Sequence, residues 1–343
     1  MLFWVAALAV STLLYVVLDG FDLGVGILFA IAGDETDRRR MLSAISPVWD
    51  GNETWLVVSG TVLFGAFPRV YATLLSAFYL PIVLMLGALI LRGVAFEFRH
   101  NTIRFRWIWN CSFVAGSLVA TFVQGMMIGA LVRGLPMTAG RYSGGMFGWL
   151  GGFACLCGVG LCFGYALLGA AWLVGKSQGM LRKRIYDLLP PLTFGVGCFL
   201  VVAFVYALTL DLRIMGRWLE RPYLLLFPLI GAVAAYYLIK GIADRSDFQP
   251  FRMVAFIFLA AFATLAISFW PYMIPFSITV EQALAPESSL HFMFWGAGLL
   301  VLPLTLGYTA VVYWMFRGKI AEETEPAPAH VTFDYSSTYP END

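Results

Sequence analysis

Long apolar runs alternate with short polar connections along most of the chain. A helix crosses the hydrocarbon core of a bilayer with about 20 apolar residues at 1.5 Å rise each. Nine segments meet or approach that length: 2–31, 50–67, 73–96, 107–132, 146–175, 189–211, 222–240, 252–273 and 292–316. The second is the weakest, because it opens on the polar phrase Asp50-Gly51-Asn52-Glu53-Thr54 and only Pro68 to Ala72 separates it from the third. The first has no basic leader and far exceeds the roughly 7–15 residues of a signal-peptide core, so it is read as an uncleaved first helix.

The distribution of basic residues chooses between eight and nine spans, because Lys and Arg are retained in cytoplasmic loops. Nine spans put Arg38, Arg39, Arg40, Arg99, Arg104, Arg106, Lys176, Arg182, Lys183, Arg184, Lys240, Arg245, Arg252, Arg317 and Lys319 on one side. The other side receives Arg69, Arg133, Arg141, Arg213, Arg217 and Arg221. Removing the second segment breaks this alternation. The expectation is nine helices, with the N-terminus outside and the C-terminus cytoplasmic. Four spans, four spans and a ninth leave room for a diverged 4+4 duplication. Residues 321–343 carry six acidic residues, three prolines and no Lys or Arg, and are expected to form a disordered acidic cytoplasmic tail.

Composition agrees with this layout. Hydrophobic residues make up 60% of the chain and charged residues 13%, against about 25% charged in soluble domains. A formal net charge of +1 gives no reason to expect nucleic acid as a partner. Five cysteines lie within apolar runs with no CxxC or CxxCH spacing, so they are read as small helix-packing residues. The three histidines are His100, His291 and His330, and none sits inside a span where it could face another across a haem. The chain by itself is therefore expected to bind no haem and no metal.

Six ionisable residues stand out against this apolar background: Asp19, Asp22, Asp50, Glu53, Arg92 and Glu97. Each costs about 2.5–3.5 kcal/mol in a membrane helix, so such residues mark function or a specific partner. The predicted topology puts all six towards the cytoplasmic ends of the first three spans. One reading is purely structural: helix caps, and an Asp50–Arg92 ion pair binding two helices. The other is a proton route, with Asp19 and Asp22 as a relay on one helix face, Asp50 as the junction and Arg92 as counter-charge. Gly20 and Gly24, with Gly26 beside them, have the spacing that lets membrane helices approach closely. Trp4, Trp49, Trp55, Trp107, Trp109, Trp218 and Trp270 fall near span ends and are expected mostly in the interfacial belt.

The phrases Asp19-Gly20-Phe21-Asp22-Leu23-Gly24-Val25-Gly26, Ser46 to Leu56 and Leu91 to Arg99 closely resemble subunit II of the cytochrome bd-type quinol oxidases. Phe269 to Pro275 and Tyr308 to Trp314 are similar to later parts of the same family. The resemblance implies an oxidoreductase complex of the bacterial plasma membrane that oxidises quinol and reduces O2 to water. It implies haem b and haem d in a partner subunit I, a quinone in the complex, and a small single-helix accessory subunit in some members. The implied fold is two four-helix bundles plus one peripheral helix. On this chain that gives one transmembrane domain, 1–320, divided into 1–133, 146–273 and a last helix at 292–317. It also implies a cytoplasmic proton path in this subunit, with Asp22, Asp50, Arg92 and Glu97 at matching positions; Glu97 departs from the Asp of some members. Two other classes are weighed against this one: a proton-coupled secondary transporter, and a purely structural assembly subunit.

Overall fold

The computed structural model describes residues 1–101, 105–209 and 222–320. Among the described residues, eight helices are long and apolar enough to cross a membrane: α1 (Leu2–Ile31), α4 (Pro68–Asn101), α5 (Arg106–Arg133), α6 (Gly152–Lys176), α7 (Gly179–Thr209), α8 (Leu226–Ala243), α9 (Gln249–Phe269) and α11 (Glu287–Met315). The weak second segment is also a helix, α3 (Trp49–Ala66), 18 residues long. At 1.5 Å per residue it reaches about 27 Å, close to the thickness of the apolar core. Its opening polar residues keep it out of the apolar eight.

Three sequence expectations are corrected. The connection after α1 is not a plain loop: Glu35–Ile45 is a helix, α2, because Asp34 Oδ1 accepts from the Asp37 backbone N–H at 2.7 Å, and Met41, Leu42, Ala44 and Ile45 are buried. No five-residue linker separates α3 from α4, since α4 starts at Pro68, where a missing N–H costs a helix nothing. Trp4 and Trp55 are buried in the interior and are not belt residues, whereas Trp107 and Trp270 are exposed. Residues 321–343, with His330, and also Arg104, Arg213, Arg217, Trp218 and Arg221 lie outside the described residues.

Helix α6 is the centre of the assembly, packing against α1, α5, α7 and α9. Its approach to α1 is backbone to backbone. A Cβ on Gly24 would run into the Tyr165 carbonyl oxygen, and a Cβ on Gly169 would lie 2.5 Å from the Gly24 carbonyl carbon. The glycine spacing on α1 is therefore a close helix crossing, with Gly26 against Ser117 on α5. Helix α4 bends at Phe78 (φ −113°, ψ 24°), because Pro81 lacks an N–H and crowds the preceding turn.

The two ends of the bundle differ in chemistry. At the end holding Trp4, strands β1 (Met137–Thr138) and β2 (Arg141–Tyr142) pair, as do β3 (Tyr272–Ile274) and β4 (Ile278–Thr279). Ile274, Ile278 and the short α10 (Val280–Ala283) bury their apolar side chains against Val62, Phe67 and Val70. The end holding α2 is tied by charge. Asp37 pairs with Arg184, Lys176 donates to the Phe316 and Gly318 carbonyls, and Asp247 pairs with Arg182 at 2.7 Å and Lys319 at 2.6 Å. In the exposed loop after α8, burial opposes ionisation of Asp247, but the hydrogen bonds from Lys319 and Arg182 outweigh it and hold the carboxyl below the usual range.

Candidate functional site

A π-helical turn at Tyr15–Asp19 interrupts α1 just before the glycine crossing. Such single turns re-aim side chains and recur at functional sites. Here it points both acids of α1 inwards: Asp19 is 0% and Asp22 1% exposed. From α4 comes Arg92, 2% exposed, on the buried stripe Met85, Ala88, Leu89, Arg92, Ala95, Phe96. Helix α3 contributes the stripe Asn52, Trp55, Ser59, Val62, Ala66, spaced by three and four residues.

The Arg92 guanidinium binds two acids through one nitrogen: Nη2 lies 2.8 Å from Asp19 Oδ1 and 3.0 Å from Glu53 Oε2. The Glu53 side chain is 29% exposed, so it connects the sealed pair with the molecular surface. Asp22 has no cation bonded to it among the described residues. Its Oδ2 accepts from Asn52 Nδ2 at 2.7 Å; the same amide N–H2 group donates to the Leu18 carbonyl at 3.3 Å, and Asn52 Oδ1 accepts from the Tyr313 hydroxyl at 2.9 Å. The last span thus reaches Asp22 through one amide.

A polar column continues along α1 away from the acids. Gln124 Nε2 donates to the Tyr15 hydroxyl at 2.8 Å, and the Tyr165 hydroxyl donates to Gln124 Oε1 at 3.3 Å. One turn further, the Ser59 hydroxyl lies 3.0 Å from the Ser11 hydroxyl and receives Thr12 at 3.4 Å. Several cluster atoms are buried with no protein partner among the described residues: Asp19 Oδ2, Asp22 Oδ1, Arg92 Nε and Nη1, and Trp55 Nε1. Groups of this kind in folded proteins are bonded by ordered water.

The six sequence candidates therefore separate. Asp19, Asp22, Glu53 and Arg92 come together; Asp50 and Glu97 do not join them and are exposed. The ion pair expected between Asp50 and Arg92 is replaced by Arg92 with Asp19 and Glu53. Helix geometry explains both departures. At 100° per residue, Asp50 lies 200° from the buried Asn52, and Glu97 lies 140° from the direction of Arg92. Asn52, Tyr313, Tyr15 and Gln124 were missed by sequence reasoning. For Asn52 a signal existed, since it starts the three-and-four stripe that runs to Ala66.

Among the described residues no group of three or more His, Cys, Asp or Glu side chains is placed to hold a metal ion. His291 is exposed near the start of α11, remote in sequence from all three helices of the cluster.

The family model for cytochrome bd terminal oxidase subunit II matches residues 1–316. The chain is 30% identical to the cytochrome bd-I ubiquinol oxidase subunit 2 of Escherichia coli strain K12, over 93% of this chain and 95% of that one. It is also 30% identical to the cytochrome bd ubiquinol oxidase subunit 2 of Bacillus subtilis strain 168, covering 93% and 96% respectively. Its fold is similar to a chain in the structure of bd oxidase from Geobacillus thermodenitrificans, with TM-score 0.73, 15% identity, and coverage of 91% of this chain and 99% of that one.

Proposed function

Because the chain belongs to the cytochrome bd terminal oxidase subunit II family, we propose that its buried acid cluster carries protons from the cytoplasm towards the haem-bearing subunit I. The chain is a multi-pass protein of the bacterial plasma membrane and one subunit of a terminal quinol oxidase, an oxidoreductase complex that contains haem and a partner subunit I. The finer reading includes α3 as a ninth span, the N-terminus outside and the C-terminus cytoplasmic. It also includes two four-helix bundles at 1–133 and 146–273 with a last helix at 292–317, haem b and haem d in subunit I, a quinone in the complex, and a small single-helix accessory subunit. The tail after residue 320 stays on the cytoplasmic side in this reading.

One observation carries the proton route. Among the described residues Asp22 is bonded only by the Asn52 amide, itself held by the Tyr313 hydroxyl, while Arg92 holds the Asp19 and Glu53 carboxylates. Arg92 keeps its charge at any physiological pH and binds the Asp19 carboxyl directly. Asp22 lacks such a partner, so it is the acid free to take up and release a proton. The exposed Asp50, the half-exposed Glu53 and the exposed Glu97 lie at one end of α3 and α4. Bare carboxylates facing lipid are costly, so these three are read as meeting water or the partner subunit. Protons then pass from Asp50 and Glu53 by way of water at the unpartnered atoms of Asp19 and Asp22.

A purely structural role is the competing reading, favoured by the same Arg92–Asp19 pair that ties α4 to α1. Proton uptake by the assembled oxidase in vesicles separates them. In Asp22→Asn and Asp50→Asn variants, uptake from the cytoplasmic side should slow while haem content and assembly stay at wild-type level. Normal uptake in both variants ends the proton-route reading and leaves the structural one.

A further inference from the structure

The last span packs loosely over its second half. Between Leu302 and Met315 only Val312 is buried, while Leu304, Leu306, Tyr308, Val311, Trp314 and Met315 are exposed. Tyr313 nevertheless keeps its hydroxyl 2.9 Å from Asn52 Oδ1, and through that amide it reaches Asp22. A hydrogen bond of this kind is lost when its heavy atoms part by roughly 1 Å. Side-chain packing along this half of α11 is too sparse to hold such a distance, so the restraint has to come from the end of the helix.

Three residues after Tyr313 the chain is gripped by Lys176. This lysine closes α6 and is 6% exposed, and both oxygens that accept from its ammonium are main-chain carbonyls: that of Phe316, and that of Gly318 at 3.1 Å. Phe316 is the C-cap of α11, where carbonyls without helical partners and the helix dipole both favour a cation. In turn the Ile320 N–H donates to the Lys176 carbonyl at 2.9 Å, and Lys319 pairs with Asp247 at 2.6 Å. Residues 316–320 thus form a strap across the end of α6.

The Lys176 ammonium also lies 4.8 Å from the centre of the Trp172 ring, one turn back on α6. Trp172 is fixed by its Nε1, which donates to the Ala44 carbonyl at 3.0 Å, and it stacks at 4.3 Å on Phe21, the neighbour of Asp22. Tyr313 meets the same indole edge-on at 6.1 Å. Lys176 and Trp172 therefore join the strap to the side chains that surround the relay.

We propose that Lys176 is a positioning residue of the proton relay, a role that rests on Asp22 being the proton carrier. By holding the Phe316 and Gly318 carbonyls it keeps α11 where the Tyr313 hydroxyl orients Asn52 towards Asp22. Contacts of the partner subunit with α11 are the competing means of holding Tyr313, and they would leave Lys176 dispensable.

The test reads proton uptake from the cytoplasmic side by the intact oxidase in vesicles, for K176M, Y313F, their double variant and D22N. Methionine keeps an unbranched stem against Trp172 and removes the ammonium. K176M should slow uptake about fivefold, the factor that one neutral hydrogen bond is worth, with haem content at wild-type level. Because Lys176 acts through Tyr313, Y313F should slow uptake as much, and the double variant should be no slower than Y313F alone. A lysine that merely stabilises the fold gives losses that multiply, and that result overturns the proposal. So does normal uptake in K176M beside slow uptake in D22N, which leaves the proton route standing. Normal uptake in D22N ends the route and this role with it. Should K176M fail to assemble, K319Q decides, since the Lys319 side chain is 31% exposed and its loss loosens the strap from the far side. K319Q should slow uptake about twofold alone and not at all in the Y313F background. An equal K319Q effect in both backgrounds, or none in either, overturns the proposal.

Discussion

Replacing Asp19 by Asn takes one carboxylate from a guanidinium that is almost wholly sealed in protein. Asp19 is 0% exposed and its Oδ1 lies 2.8 Å from Arg92 Nη2. Breaking a buried pair by removing one partner costs about 3–5 kcal/mol, because an uncompensated charge is left behind. Glu53, at 3.0 Å from the same nitrogen, remains and offsets part of that cost, but its exposure to solvent weakens it as a counter-ion. The expected loss for Asp19→Asn is therefore near the lower end, about 3 kcal/mol, or roughly a hundredfold in the folding equilibrium. Glu53→Gln should cost about 1 kcal/mol, since Asp19 then neutralises Arg92 alone. Reversible unfolding of the detergent-solubilised oxidase, with Asp19→Asn, Arg92→Gln and the double variant in one cycle, checks both figures. The double variant should be at least about 2 kcal/mol more stable than the sum of the singles predicts, because it leaves no sealed cation behind and the carboxylate that loses its partner, Glu53, reaches the surface. Additive losses, or a cost below about 0.5 kcal/mol for Asp19→Asn, would refute the assignment of Arg92 as a buried cation held by Asp19.

Three further outcomes are expected. Tyr313→Phe removes the hydroxyl that orients Asn52, so proton uptake through Asp22 should slow less than in Asp22→Asn, whereas Asn52→Leu should match Asp22→Asn in uptake; a Tyr313→Phe effect equal to that of Asp22→Asn contradicts the relay order. Gly24→Ala should prevent assembly or cost well over about 3 kcal/mol, because the α6 backbone at Tyr165 and Gly169 occupies the space a Cβ needs; Gly197→Ala, where nothing lies within 4 Å, should be neutral or stabilising by up to about 1 kcal/mol. Asp247 has a folded pKa depressed below its unfolded value, so the stability it lends is present above the ordinary carboxylate range and is lost as pH falls through the folded value. Hydrogen-exchange protection of residues 316–320, corrected for intrinsic rates, should therefore drop on acidification in the wild type. In Asp247→Asn it should be low at every pH.

The chain announces its environment before anything else. Runs of apolar residues fix that it crosses a membrane, because no soluble fold could cover them, and eight of the nine expected segments are apolar enough to be recognised by length and composition alone. The acids of α1 and Arg92 of α4 were equally legible, since a charge inside an apolar run is conspicuous in one dimension. Gly20, Gly24 and Gly26 announced a close contact in the same way.

What one dimension cannot hold is direction and partnership. Asp50, Asn52 and Glu53 are neighbours in sequence, yet 100° per residue sends Asp50 to the surface, Asn52 to Asp22 and Glu53 to Arg92. Tyr313 reaches Asn52 across 261 residues, and Gln124 reaches Tyr15 across 109. Helix α2 was hidden because a short amphipathic helix with three consecutive arginines reads as a polar loop until its apolar side finds a surface to cover. The sequence by itself determined the membrane, the helices and the cost of the buried charges. Only the tertiary structure decided which charges share a partner, because that depends on how helices rotate and cross, and on Gly24 meeting Gly169 closely enough to set α1 against α6.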